Sequence, residues 1–234
     1  MFQENTFPEV RQPAAGTQSR RKILSWAALA MASAAAFGVD VPGLGLSRAF
    51  AQAGAVDLGS GDVGVLNYAY ALEQLEAAFY TTALASPYQG MTAYERSVLG
   101  DIKGHEIAHR EFFKKALGRN RIPDLEVNFS AVDFGSRASV LKTASIFEDL
   151  GVSAYNGGGA AIQNPKYLAA AGSIVSVEAR HAAILRDLLS PLSESFAGSD
   201  VVDASGLDVA NPPSKVLAAA GPFIKTPVTA TKLP

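Results

Sequence analysis

From Asp62 onward, apolar residues recur at helical rather than alternating intervals, in four long blocks separated by Pro, Gly and Ser. In the first block Leu66, Tyr70, Glu73, Ala77 and Tyr80 form one stripe of a 3.6-residue repeat. Asp62 offers an N-cap after Gly59-Ser60-Gly61, and Ser86-Pro87 ends the pattern. The second block opens on Thr92-Ala93-Tyr94-Glu95, the spacing of a capping box. Its stripe is Val98, Leu99, Ile102, Glu106, His109, Phe113 and Leu117, and Gly118 follows it. The third block, about residues 137–155, carries Leu141, Ala144, Glu148, Val152 and Tyr155, and Asn156 with three glycines is expected to end it. The fourth opens on Asn164-Pro165, an N-cap with proline in the first helical position. It presents Ile174, Glu178, His181, Leu185 and Leu188 and closes at Ser190-Pro191. No strong strand pattern appears; residues 127–134 offer at most a short extended segment.

These blocks predict an all-α four-helix bundle over residues 54–190. The first and second helices are joined by a short connection, as are the third and fourth, so each pair is an antiparallel hairpin. The crossover between hairpins, residues 118–136, has 19 residues. It reaches about 60 Å when extended, whereas a 24-residue helix is about 36 Å long. The crossover can therefore run the height of the bundle and let the second and third helices lie parallel. Residues 191–234 form a Pro/Gly-rich tail with one short helical patch after Ser214, expected to wrap the bundle or join subunits.

Each predicted helix carries acidic or imidazole side chains on its otherwise apolar stripe. These are Glu73 on the first, Glu106 and His109 on the second, Glu148 on the third, and Glu178 and His181 on the fourth. A carboxylate and an imidazole three residues apart share one helix face, and each group lies near mid-helix. Mid-helix positions meet at one level whichever way a helix runs, so four carboxylates and two imidazoles should converge in the core. Ionised and unpaired, such carboxylates cost several kcal/mol each. Two divalent cations cancel four negative charges. Oxygen and nitrogen ligands suit iron or manganese, with zinc possible, and nothing soft is present to select copper(I). The hairpins also echo one another: Glu73 precedes Tyr80 by seven residues, as Glu148 precedes Tyr155. That echo favours Glu73 over Glu76, whose counterpart is Gly151. Tyr80, Tyr155, Glu76 and His105 are the candidates for contacts behind the ligands, the tyrosines through hydroxyls that bond the carboxylates.

One Glu from each of two helices with Glu-x-x-His from each of the other two resembles the ferritin-like di-iron and di-manganese carboxylate proteins. The stretches from Leu72 to Tyr80 and His105-Glu106-Ile107-Ala108-His109 look like the exported bacterial ferritin-like proteins related to plant desiccation-associated proteins. The resemblance implies a metal pair that oxidises metal or reduces oxygen or peroxide, or else a metal-binding or stress-protective protein without turnover. It leaves a homo-oligomer open. One rival comes from the residues alone: His105-Glu106-x-x-His109 matches a zinc-metalloprotease motif. That reading leaves Glu73, Glu148, Glu178 and His181 unexplained and finds no clear third ligand.

Composition narrows the field further. The 234 residues contain no cysteine, which excludes disulfides, thiolate metal sites and iron–sulfur clusters. A net charge of −2 gives no electrostatic case for nucleic acid. Residues 1–53 read as an export signal rather than as fold. Paired Arg20-Arg21 precede an apolar run from Ile23 to Val39, and Ala51-Gln52-Ala53 supplies a small-x-small cleavage pattern. This resembles a twin-arginine signal and implies a periplasmic or otherwise exported protein, with no stable membrane span after cleavage.

Overall fold

The computed structural model describes residues 54–234, so the expected signal segment, residues 1–53, lies outside the described residues. Four long helices dominate: α1 (Gly61–Ala85), α2 (Ala93–Leu117), α3 (Arg137–Gly159) and α4 (Pro165–Leu189). A short α5 (Pro213–Ala220) lies in the tail. Helix starts follow local chemistry. Thr92 and Glu95 close a reciprocal capping box on α2. The Ser136 hydroxyl caps α3, and Asn164 caps α4 ahead of Pro165.

Asp62 does not serve as the N-cap of α1; Ser60 takes that position. Asp62 instead lies in the first turn, where its two carboxylate oxygens accept from the Gln163 and Asn164 backbone N–H groups at 2.8 and 2.9 Å. It thereby ties the start of α1 to the loop before α4. Nor does Asn156 end α3, which continues through Gly157 and Gly158 to Gly159. The reason is steric: the tail crosses here, and a Cβ on Gly157 would lie 1.9 Å from the Asn211 carbonyl oxygen. Gly158 packs on Tyr68 and Val65. The glycines admit neighbours rather than break the helix.

Helix α1 is the centre of the molecule, buried around nearly its whole circumference from Gly64 to Ala77. The crossover runs along it. Asn67 on α1 donates to the Asn120 carbonyl and accepts from Ile122 N–H. Gln74 accepts from Leu125 N–H, and Phe79 packs edge-on to Phe129. Moving up α1 thus means moving along the crossover, which carries the chain from the end of α2 to the start of α3. Gly151 sits beside Glu76 and Gly158 beside Tyr68, so α3 is antiparallel to α1 and parallel to α2.

The tail is pinned at several points. Val216 and Ala220 of α5 are fully buried. Arg186 of α4 holds Asp149 and Asp200 and the Ser195 carbonyl. Two short strands also form, β1 (Val56–Asp57) and β2 (Val228–Thr229), paired in parallel. Val127 bridges to Ile224. Helix α4 is long and apolar enough to cross a membrane by length and composition. Here its buried stripe of Ile174, Glu178, His181, Ala182, Leu185 and Leu188 faces the bundle.

Candidate metal centre

At mid-height the four long helices bring Glu73, Glu106, His109, Glu148, Glu178 and His181 together. The four carboxylate residues are completely buried. His109 Nδ1 stands 2.9 Å from Glu178 Oε1 and 3.6 Å from Glu73 Oε2 and Glu106 Oε2. His181 Nδ1 stands 2.9 Å from Glu106 Oε1, 3.2 Å from Glu148 Oε2 and 3.3 Å from Glu178 Oε2. Ligand atoms from Glu73, Glu106, His109 and Glu178 lie within 4.8 Å of one another, as do those from Glu106, Glu148, Glu178 and His181. Two four-residue groupings therefore exist, and Glu106 and Glu178 belong to both.

The tyrosines close the arrangement crosswise. Tyr80 of α1 donates to Glu148 Oε1 of α3 at 2.5 Å. Tyr155 of α3 donates to Glu73 Oε1 of α1. Antiparallel packing places residue i+7 of each helix level with the glutamate of the other, so the repeated Glu-to-Tyr spacing is the sequence signal for this exchange. Each carboxylate is thus steered from behind by a hydroxyl.

His105 and Glu76 occupy different positions. His105 is largely exposed, and its ring stacks on His181 with centroids 5.1 Å apart and planes at 7°. Its Nδ1 lies 2.9 Å from His181 Nε2. It belongs to neither four-residue grouping, and the metalloprotease reading therefore lacks a cluster that joins His105 with His109. His105, expected among the contacts behind the ligands, meets His181 of the other hairpin, a partner that no local spacing identifies because the two helices are separate in the chain. Glu76 is also outside both groupings. It is buried between α1 and α3, with Oε1 3.2 Å from where a Cβ on Gly151 would stand. Gly151 provides the room for this additional carboxyl group.

The electrostatics show what this interior lacks. Burial, together with the neighbouring carboxylates Glu178 and Glu106, pushes Glu73 well above the usual carboxylate range. Burial and Glu106 do the same to Glu148, and burial with Glu106 and Glu148 to Glu76. Burial alone would lower the two histidines, but the carboxylates around them outweigh it and push both up to about 12. Burial opposes ionisation of Glu178, yet His109 and His181 hold it at about 2. The cluster thus retains protons wherever positive charge is otherwise missing. Glu73 Oε2, both oxygens of Glu106 and Glu178, and His109 Nδ1 are buried and make no well-aligned hydrogen bond, although ring nitrogens and carboxylate oxygens approach to 2.9–3.6 Å. Buried carboxylates this close together are costly without well-aligned partners, and divalent cations would satisfy them together. The donor set of carboxylate oxygens and imidazole nitrogens fits a di-metal site.

Residues 61–191 match the family model described as Ferritin-like domain. The chain belongs to the ferritin-like domain family. The matched region spans all four long helices and every residue of the cluster. Compared with curated proteins, the chain finds no match. Membership accounts for the bundle and is compatible with a di-metal centre at its ferritin-like core.

Proposed function

We propose that the chain holds two divalent ions, iron or manganese, and uses them to oxidise metal or to reduce oxygen or peroxide. The observation that supports this best is the sharing of Glu106 and Glu178 between the two groupings. A carboxylate common to both sets can bridge two ions. Glu73 with His109 then completes one side, and Glu148 with His181 the other. When bound, such a pair supplies redox change and open coordination positions for an oxidant.

The chain's own residues hold and orient this centre. Tyr155 and Tyr80 fix the outer oxygens of Glu73 and Glu148 by donating to them. With Nδ1 of His181 used as a ligand, its Nε2 carries the proton and donates to His105 Nδ1, which sets the tautomer. Burial, with the neighbouring carboxylates Glu106 and Glu148, raises Glu76 well above the usual carboxylate range beside the cluster. The paired arginines and apolar run of the leader support an exported, periplasmic setting.

Anaerobic addition of ferrous ion followed by oxygen or peroxide tests the reading. Turnover that disappears in Glu106→Ala supports it. Stoichiometric metal uptake with no turnover leaves a metal-binding, stress-protective role and overturns the enzyme.

A further inference from the structure

Two stretches of opposite charge stand out on the surface. Residues 110–121, at the end of α2 and just past it, carry Arg110, Lys114, Lys115, Arg119 and Arg121 against a single acid, Glu111. Arg110 pairs with Glu111, and Arg121 donates to the Gly118 carbonyl. Lys114, Lys115 and Arg119 make no side-chain hydrogen bond or ion pair among the described residues. Phe112 is exposed one helical turn before Lys115, on the same side of α2. Residues 187–214 are the reverse, with Asp187, Glu194, Asp200, Asp203 and Asp208 and neither Lys nor Arg. Most of this stretch lies past residue 191, where the match to the ferritin-like family ends, so membership assigns it no role.

Leu192 marks where the acidic stretch presents apolar surface. Among the described residues it alone, glycines aside, has a positive φ, 57°, and its side chain is completely exposed. The left-handed conformation crowds a Cβ, and such strain collects where function requires it. The turn that holds Leu192 is tied down: Ser193 Oγ donates to the Ser190 carbonyl at 2.6 Å, and Arg186 Nη1 donates to the Ser195 carbonyl at 3.0 Å. Leu189 and Phe196 are exposed on the same turn. Three large apolar side chains therefore face water at the end of α4, flanked in sequence by Asp187 and Glu194. The basic stretch stands at the other end of the bundle. Phe112 and Phe113 lie beside Tyr167 and Ala170, so α2 finishes where α4 begins. Leu189 closes the 25-residue α4, about 36 Å farther along. The two surfaces do not meet within one chain.

We propose that a second copy of this chain covers both: Leu189, Leu192 and Phe196 of one copy seat against Phe112 of the next, with Asp187 and Glu194 facing Lys115 and Arg119. Because the two surfaces differ, the contact is heterologous and repeats head to tail from copy to copy. The opposite charges steer the encounter and fix its register, and the covered apolar side chains supply the affinity. The contact depends on neither bound metal nor turnover.

The test is sedimentation velocity of the full chain over a range of concentrations, at about 0.05 M and about 0.5 M salt. The expected result is a mass that grows past the dimer with concentration at low salt, and association at least about tenfold weaker at high salt. The double variants Lys115→Glu/Arg119→Glu and Leu192→Ser/Phe196→Ser each disable one surface and should each stay monomeric, with melting temperatures no lower than the dilute wild type. Mixed in equal amounts they retain one intact surface of each kind, so the mixture should form dimers and nothing larger. Leu192→Gly relieves the backbone and should raise the melting temperature of dilute protein while weakening association at least about tenfold. A wild type that stays monomeric, or association that persists in both double variants, overturns the proposal. A mixture that forms no dimer shows that the two surfaces do not meet each other, and association indifferent to salt overturns the charge pairing. A lower melting temperature in Leu192→Gly means that Leu192 serves the fold and not a contact. A monomeric wild type that instead sediments with phosphatidylglycerol vesicles through Lys115 and Arg119 assigns the basic end to a bilayer and overturns the second copy.

Discussion

Glu106 and Glu178 differ from the other carboxylates because each stands in both groupings. Removing a shared ligand should therefore cost more than removing a terminal one. Glu106→Gln is expected to reduce bound metal from about two ions per chain to nearly none, whereas Glu73→Gln or Glu148→Gln should leave about one. Elemental analysis of the purified variants checks this, and equal losses in all three would show that the two ions do not share Glu106. His105 makes a different prediction. It touches His181 rather than either grouping, so His105→Ala should keep at least half of the metal. Losing its bond weakens the orientation of one ligand, an effect of about 10–100-fold in affinity at that ion alone. Complete loss of metal in His105→Ala would return the zinc-metalloprotease reading to favour.

The elements show where sequence reading succeeds and where it stops. The stripes through Glu73, Glu106, Glu148 and Glu178 are local, because a helix face is fixed by intervals of three and four residues, and all four carboxylates lie buried together. The end of α3 was not legible. Asn156 and three glycines look like a stop, yet the helix continues because glycine is required by the tail, which is distant in sequence. The β1–β2 pair was missed for the same reason: two strands of two residues each carry no periodicity, and they are set by where the chain's end returns. The position of Asp62 alone predicts a cap, whereas its carboxylate oxygens accept from the Gln163 and Asn164 backbone N–H groups across the fold. Helix α3 also yields a paired test. Gly157→Ala places a Cβ 1.9 Å from the Asn211 carbonyl oxygen and should lose about 1–3 kcal/mol through overpacking. Gly172→Ala on α4 meets nothing within 4 Å and should gain about 0.5–1 kcal/mol from reduced chain entropy. Denaturant melts read both, and a neutral Gly157→Ala would mean that the tail is not held against α3.

At the scale of the whole molecule, the core's proton balance couples stability to metal. In the metal-free protein Glu73 and Glu148 are raised, so between the unfolded carboxylate value near 4.5 and their higher folded values the native state holds protons that the unfolded chain has released. His109 and His181, raised to about 12, act in the same direction above about 6.5, where the unfolded imidazoles are already neutral. When the native state binds more protons, stability falls as pH rises. Glu178, held at about 2, acts oppositely, but only below about 4.5, where its stabilisation fades as pH falls. The metal-free protein should therefore be most stable near pH 5 and melt at progressively lower temperature toward pH 8. Bound ions reverse this slope, because ligation requires deprotonated carboxylates and neutral imidazoles and so favours high pH. Thermal melts of chelated and iron- or manganese-loaded protein at pH 5, 6.5 and 8 should diverge steadily, with little separation at pH 5 and the largest at pH 8. Parallel curves would mean that the protons held by this cluster are not the ones that metal displaces.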